Sequence, residues 1–268
     1  MIRLKNLMIR KHTGAWLGVA GALLMGCATA PAQSVAAAAA TPAPLPETKA
    51  WVTTAAASLA LTRGNSENFL VTLSLDTKRK WEKQDVGLGI SGGYGDSTVN
   101  DAYSKNTQFL QGYGQYNHLF TDRFYGGLRL DGQYDGIAGV DYRFRLTPLV
   151  GYRFIKNDKM TLALEAGPSV VCEHLQGQTA TTYAAVRFAQ TFEYKIAVGT
   201  KVWETVSYIP QIDDWVGNYL VNLEVGIDTA IAKGWSLRVV FQDMYASRPA
   251  TGKKDNDMRL LAGVSYKF

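Results

Sequence analysis

The 268-residue sequence predicts an all-β fold, a transmembrane antiparallel β-barrel of about twelve strands. Three observations carry this prediction: long segments of alternating apolar and polar residues, a chain end that is itself such a segment, and connections that alternate between short and long. Strands with one apolar and one polar face suit a barrel with lipid outside and a polar interior. Closing the sheet also removes the unpaired edge that a terminal strand would otherwise expose.

The last nine residues are the clearest of these alternating segments. Leu260, Ala262, Val264, Tyr266 and Phe268 share one face, while smaller or charged residues, Lys267 among them, fall on the other. The ending resembles the terminal signal by which bacterial outer-membrane barrels are recognised for assembly, in which an aromatic last residue follows apolar positions at every second step. We therefore expect Tyr266 and Phe268 to form an assembly signal, and the last strand to close the barrel against residues 51–62.

Alternation continues backward along the chain to Trp51, and no segment shows a convincing helical period. Each predicted strand is near or above the roughly 9 to 11 residues that a tilted membrane strand needs. The predicted strands are residues 51–62, 69–81, 85–95, 107–119, 124–135, 141–154, 160–173, 182–196, 201–210, 218–231, 235–247 and 257–268.

The connections after even-numbered strands are tight, whereas most of those after odd-numbered strands are longer and more polar. The predicted short turns are 82–84, 121–123, 155–159, 197–200 and 232–234, and the predicted long loops are 96–106, 176–181, 211–217 and 248–256. In outer-membrane barrels the short turns are periplasmic and the longer loops extracellular. An even strand number then places both ends of the barrel domain on the periplasmic side.

The charged residues of the strands indicate which face is inside. An Arg or Lys at mid-depth on the lipid face costs about 2 to 4 kcal/mol, so such residues are expected to line the lumen. The candidate lumen-lining residues are Arg129, Asp131, Arg143, Arg145, Arg153, Glu165, Arg187, Glu224, Arg238 and Arg259. In a filled barrel we expect the arginines to pair with Asp131, Asp135, Glu165, Glu193 and Glu224; in an open barrel, the arginine row favours anions. The faces of strand 201–210 stay open, because Glu204 shares a side with Val202 and Val206.

The amino-terminal residues predict export from the cytoplasm of a Gram-negative bacterium. A basic leader and an apolar run too short to span a bilayer predict a signal peptide over residues 1–32, with cleavage after Ala32. A lipoprotein signal that ends before Cys27, with lipidation of that cysteine, is the alternative. Residues 33–50 form an Ala- and Pro-rich linker, and residues 51–268 form the barrel.

Several short motifs carry a resemblance to a known family. They are Leu61-Thr62-Arg63-Gly64-Asn65-Ser66, Arg123-Phe124-Tyr125 followed by Asp131, residues 142–145 through 151–152, and residues 253–257 through 266–268. In these motifs the chain resembles the family of salt-induced outer-membrane proteins built on domain of unknown function 481. The resemblance implies an outer-membrane barrel and implies no activity, cofactor or catalytic residue.

The sequence offers little support for catalysis or for other ligands. There is no Cys/His cluster with metal-ligand spacing, no phosphate-binding loop before a helix, and nothing that calls for nucleic acid. His118 and His174 are the histidines beyond the leader, and alternation directs Ser169 to the same side as Glu173 rather than to the side of His174. We therefore expect no enzyme activity and no cofactor.

Three functions follow, in order of preference. The first is a monomeric outer-membrane barrel with a structural or envelope-stress role, for which limited passive permeability stays open. The second is a narrow channel for small, anionic solutes, and the third is a lipid-modifying barrel enzyme. The expected partners are outer-membrane lipid, lipopolysaccharide and the barrel-assembly machinery.

Overall fold

The structure, a computed structural model, describes the backbone of residues 50–62, 66–99 and 102–268, and the side chains of this part except 60–68 and 98–102. The predicted signal peptide, the linker, Cys27 and the motif around Gly64 lie wholly or largely outside the described residues. The strands are β1 (Val52–Thr62), β2 (Ser66–Lys80), β3 (Gln84–Val99), β4 (Ala102–Leu119), β5 (Phe124–Asp135), β6 (Val140–Lys156), β7 (Met160–Leu175), β8 (Thr181–Ala197), β9 (Thr200–Gln211), β10 (Asp214–Ala232), β11 (Trp235–Ala246) and β12 (Asn256–Lys267).

These twelve strands form one closed antiparallel barrel, in which each strand pairs with its neighbours in the sequence. The barrel closes between β1 and β12, where Ala55 pairs with Tyr266 and Ala57 with Val264. Backbone hydrogen bonds between Thr53 and Phe268, 3.2 and 3.0 Å long, extend this seam to the last residue. The predicted fold class and the predicted partner of the terminal strand are therefore confirmed. The described residues include no helix that is long and apolar enough to cross a membrane.

The two ends of the barrel differ in their connections. The end that holds the start of β1 and the end of β12, here called the turn end, has connections at 81–83, 120–123, 157–159, 198–199 and 233–234. At the opposite end, the loop end, residues 247–255 form the longest connection between described strands. Two of the long loops predicted there are wrong: most of 96–106 and of 211–217 is strand. The hairpin of β3 and β4 continues its pairing from Asp96 with Lys105 to Val99 with Ala102. Polar residues can extend the pairing because the hydrogen bonds between strands join backbone groups.

The outer surface of the barrel is apolar along most of its height. On β6, Phe144, Leu146, Val150 and Phe154 are each about half exposed and alternate with buried or half-buried inward residues. The same arrangement continues around the barrel through Leu73, Ile90, Leu110, Leu128, Leu130, Val170, Leu237 and Leu260. A surface this apolar is unfavourable in water and is typical of the lipid-facing band of a membrane barrel.

Strand β9 resolves the ambiguity around Glu204. Trp203 and Ser207 face the lumen, where Trp203 bonds to Glu224 and Ser207 is buried. Glu204 therefore faces outward, paired with Phe192 of β8 and Val225 of β10. The inner face of this strand carries Lys201 at the turn end and, above it, an aromatic ring, small polar residues and the buried Ile209.

Candidate functional site in the barrel lumen

All ten predicted lumen residues point into the barrel, and nine of them form ion pairs. Arg129 and Arg145 both contact Asp131, at 2.8 and 3.8 Å. Arg187 lies 2.9 Å from Glu165. The remaining pairs are Arg143 with Glu173 at 2.5 Å, Arg238 with Asp228 at 2.8 Å, Arg153 with Asp85, and Arg259 with Asp135.

Two of the acids expected to pair with arginines do not. Glu224 accepts hydrogen bonds from the indole of Trp203, at 2.8 Å, and from the amide of Gln242, at 2.9 Å. Glu193 lies 3.8 Å from Lys201, near the turn end. The expectation was wrong for these two residues because it used facing and charge alone. Which side chains meet depends on the register between strands.

Four of the arginines belong to a repeated arrangement, here called a stack. In each stack an inward aromatic ring occupies the space that a glycine leaves on a neighbouring strand, an arginine covers the ring, and an acid binds the arginine. One stack begins at Gly89, where an added Cβ would clash with the ring of Tyr113. The guanidinium of Arg129 lies 4.6 Å from the centre of that ring and bonds to Asp131.

The other three stacks have the same order of glycine, ring, arginine and acid, built from other residues. The distance from guanidinium to ring centre is 4.1 to 5.3 Å, within the range of a cation–π contact. They are Gly93, Phe109, Arg259 and Asp135; Gly151, Tyr125, Arg153 and Asp85; and Gly226, Trp203, Arg238 and Asp228. No signal in the sequence matches each glycine with the ring that fills its space.

Glu165 connects two of these stacks. Its carboxylate accepts hydrogen bonds from Gln115 at 2.7 Å, Tyr125 at 3.0 Å and Arg187 at 2.9 Å. Gln115 in turn accepts a bond from Arg129 at 2.8 Å. The network therefore passes from β4 to β8 through side chains, and it satisfies a buried carboxylate that would otherwise be costly.

Some contacts cross the lumen from one wall to another. Arg259 on β12 reaches Asp135 on β5, and the amide of Gln133 on β5 lies 3.9 Å from the sulfur of Met244 on β11. These side chains come from strands that are far apart around the barrel, so their contacts fill part of the lumen. Near these contacts, a cavity of about 30 Å³ at the loop end has room for roughly two water molecules.

The connection 247–255 closes the loop end. Ala250 is 2% exposed and packs with Val140 and Leu175 on the far side of the mouth. The carbonyl of Pro249 accepts a bond of 3.1 Å from Gln178, in the connection between β7 and β8. This segment, here called the lid, therefore lies across the opening and adds an apolar cover to the filled lumen.

The turn end of the lumen has a different character. Lys78, Lys80, Lys195 and Lys267 face inward or toward the mouth and are exposed, and Thr191 is exposed on the inner face of β8. Lysine side chains are strongly hydrated and here lack buried partners. The lumen thus has buried, paired side chains under the lid and exposed lysines at the turn-end mouth, while the pairs of Arg153 with Asp85 and Arg238 with Asp228 near that mouth stay buried.

The histidines do not assemble a catalytic group with the residues named for it. Ser169 is 3% exposed, faces the lumen and shares a hydrogen bond of 2.8 Å with Thr147. Glu173 is held by Arg143, also inside. His174 faces outward and its Nδ1 lies 3.0 Å from Asp141, a partner that the sequence prediction missed because the two sit on different strands. Within the described residues, no group of three or more His, Cys, Asp or Glu side chains is placed to hold a metal ion.

Comparison with known proteins gives one match that covers most of the chain. The family model described as "Protein of unknown function, DUF481" matches residues 55–268. Comparison with curated proteins gave no match.

Solved structures similar to this chain include bacterial outer-membrane barrels. The NanC porin gives a TM-score of 0.49 at 7% identity, with 81% of this chain and 100% of that chain covered. The KdgM porin gives 0.42 at 12% identity, with 82% and 99% covered. The β domain of the Bordetella autotransporter BrkA gives 0.40 at 16% identity, with 81% and 98% covered.

Proposed function

Since the chain belongs to the DUF481 family, whose description names no activity, we propose from its lumen that it is a filled outer-membrane barrel with a structural or envelope-stress role. The observation that carries the proposal is the set of four stacks that occupy the lumen, each held by an arginine and an acid. Interiors packed in this way leave no continuous water path, so the barrel contributes a stable wall rather than a pore.

The orientation of the barrel is part of this proposal. The turn end, where β1 starts and β12 ends, faces the periplasm, and the lid faces outward. Lipid contacts the apolar band, and lipopolysaccharide contacts its outer leaflet side. Tyr266 and Phe268, which pack with ring centres 5.8 Å apart beside the seam, serve as the signal for the barrel-assembly machinery.

Single-channel recording in planar bilayers tests the proposal. The purified barrel, shown to be folded by heat-modifiable migration on gels, is expected to give no stepwise conductance over a range of salt concentrations. Stepwise conductance from the folded barrel would overturn the filled-lumen function. An envelope-stress role further predicts that a deletion strain grows more slowly than its parent in high salt, with complementation as the control.

A narrow anion channel is the second candidate, and the exposed lysines of the turn end favour it. A channel with Lys78, Lys80 and Lys195 near its mouth would concentrate anions. In a salt gradient its reversal potential would have the sign of anion selectivity. Replacement of these lysines by glutamine would reduce that selectivity.

We propose no catalytic role for the chain. If an activity on phospholipid or lipopolysaccharide were found, the variants His118→Ala and His174→Ala would test histidine-based catalysis. The outward pair of His174 and Asp141 is the specific feature that such a test examines, since it lies at the lipid boundary of the loop end.

A further inference from the structure

Two neighbouring polar side chains, Gln190 and Glu204, lie on the outer surface of β8 and β9. Gln190 of β8 points outward, because its partner on β7 is the exposed Leu164 and its chain neighbour Ala189 is buried inside. Glu204 of β9 points outward two pairs away. The neighbouring acids Glu193 and Glu224 have partners in Lys201 and Trp203, whereas Gln190 and Glu204 have no side-chain partner among the described residues.

A polar group in the hydrocarbon region is stable only when another polar group satisfies it. Lipid tails offer no hydrogen bond, and an unsatisfied group there is costly. Glu204 lies four residues above the first residue of β9, which corresponds to about 10 Å for a strand tilted by about 40°. Its outward neighbours Phe192, Val206 and Val225 are apolar, so a partner from another molecule is the solution that this surface favours.

The register of β8 and β9 brings the two groups to the same depth. Residues paired across β7 to β10 form a row that contains Leu162, Phe192, Glu204 and Val225. The row rises from the turn end toward the loop end, because Leu162 is two residues past the start of β7, whereas Val225 is seven residues before the end of β10, and both of those strand ends are at the turn end. Glu204 is thereby higher than its partner Phe192, and Gln190 is two residues higher along β8. With about 4.8 Å between strands and 3.4 Å per residue, Gln190 and Glu204 lie within about 2 Å in depth and about 8 Å apart.

This placement fits a two-fold axis along the membrane normal. Such an axis keeps depths unchanged and exchanges left and right, so it would set Glu204 of each copy opposite Gln190 of the other. The same geometry puts Phe192 and Val206, which lie below and above the midpoint, close to the axis. Each of these residues would then meet its own equivalent in the second copy.

We propose that the surface formed by Gln190, Phe192, Glu204 and Val206 is the contact between two copies of this chain in the membrane. Two reciprocal hydrogen bonds, from the amide of Gln190 to the carboxyl of Glu204, satisfy all four polar groups. The apolar residues around them, Phe188, Leu164 and Val225 among them, pack against the second copy. The functional unit is then a dimer, where the sequence suggested a monomer.

Cysteine cross-linking at the axis tests the contact. In a Cys172→Ser background, Val206→Cys is expected to give an oxidised dimer in vesicles at low protein-to-lipid ratio. Ile90→Cys is the matched control, because Ile90 is 53% exposed to lipid on the opposite side of the barrel, on β3. Absence of the Val206→Cys dimer from folded barrels, or equal cross-linking at Ile90→Cys, would overturn the proposal.

Substitution of the polar pair tests its chemistry. Glu204→Leu and Gln190→Leu each remove both reciprocal bonds, so the dissociation constant of the dimer in vesicles should rise about tenfold. Glu204→Gln keeps a polar group of the same shape that still accepts and donates, and it should retain most of the dimer. A dissociation constant that both leucine variants leave unchanged would show that these groups do not form the contact.

Discussion

Two ion pairs of the lumen, one in each half, differ in how far their side chains are exposed to water. In the loop-end half, Arg143 and Glu173 are 6% and 7% exposed and lie 2.5 Å apart under the lid. In the turn-end half, the side chains of Lys201 and Glu193 are 42% and 41% exposed and lie 3.8 Å apart. Charge is therefore buried and matched under the lid, whereas the Lys201–Glu193 pair at the turn end is hydrated and weak. Two other pairs near the turn end, Arg153 with Asp85 and Arg238 with Asp228, stay buried.

The comparison shows where the fold depends on individual residues. A buried ion pair is costly to break, because the remaining charge stays in a poor environment. An exposed pair competes with water and contributes little. We therefore expect the free energy of unfolding to respond strongly to changes at the buried pair under the lid and weakly to changes at the exposed pair of Lys201 and Glu193.

The largest effect is expected when one member of the buried pair is removed. Glu173→Leu leaves the guanidinium of Arg143 buried without its acid, which should lower the free energy of unfolding by about 3 to 5 kcal/mol. Urea titration in lipid vesicles, followed by heat-modifiable migration, measures this change. The double variant Arg143→Leu with Glu173→Leu is the control and should recover most of the loss. A single variant as stable as the parent would refute the buried character of this half.

A smaller loss in the free energy of unfolding is expected where Gly89 packs against the ring of Tyr113. Gly89→Ala places a methyl group against the ring of Tyr113 and the carboxylate of Asp76, so one of them must move. Overpacking of this kind costs about 1 to 3 kcal/mol. Gly87→Ala is the matched control on the same inner face, since its new methyl group would find Lys78 and Tyr113 at an ordinary 3.8 Å. Equal stabilities for the two variants would indicate that the ring is loosely packed.

The lid should respond locally. Ala250→Asp puts a carboxylate between Val140 and Leu175 and should release the segment from the mouth. The rate of tryptic cleavage at Lys253 and Lys254 is then expected to rise about tenfold. Conductance should stay absent, because the stacks beneath the lid remain in place. A conducting Ala250→Asp variant would mean that the lid alone seals the lumen.

The smallest effect is expected at the turn end. Glu193→Gln removes the partner of Lys201 but leaves both residues in contact with water, so the free energy of unfolding should change by at most about 1 kcal/mol. The same urea titration checks it. A loss as large as that of Glu173→Leu would remove the distinction between the two halves.

Much of this architecture follows from the sequence because its causes are local and periodic. Alternation along β6 predicts that Arg143, Arg145 and Arg153 face inward, and all three do. The last strand predicts its own closure, and Tyr266 pairs with Ala55 of β1. Facing is a property of a single strand, so it can be predicted without knowing the neighbours.

The contacts between strands are harder to predict, because register decides them. Nothing near Gly226 in the sequence indicates that the ring of Trp203 fills its space, and nothing near His174 indicates Asp141. The hairpin of β3 and β4 shows a second limit. Its polar residues suggested a loop over 96–106, yet the ladder continues because backbone pairing needs no apolar face outside lipid.

Water access to single cysteines tests the division of the lumen most directly. In a Cys172→Ser background, Thr191→Cys places a thiol on the exposed inner face of β8, and Ser169→Cys places one beside Thr147 in the buried half. A membrane-impermeant thiol reagent is expected to label Thr191→Cys readily in folded barrels and to leave Ser169→Cys unlabelled until unfolding. Labelling of Ser169→Cys at the rate of Thr191→Cys would contradict a filled, sealed loop-end half.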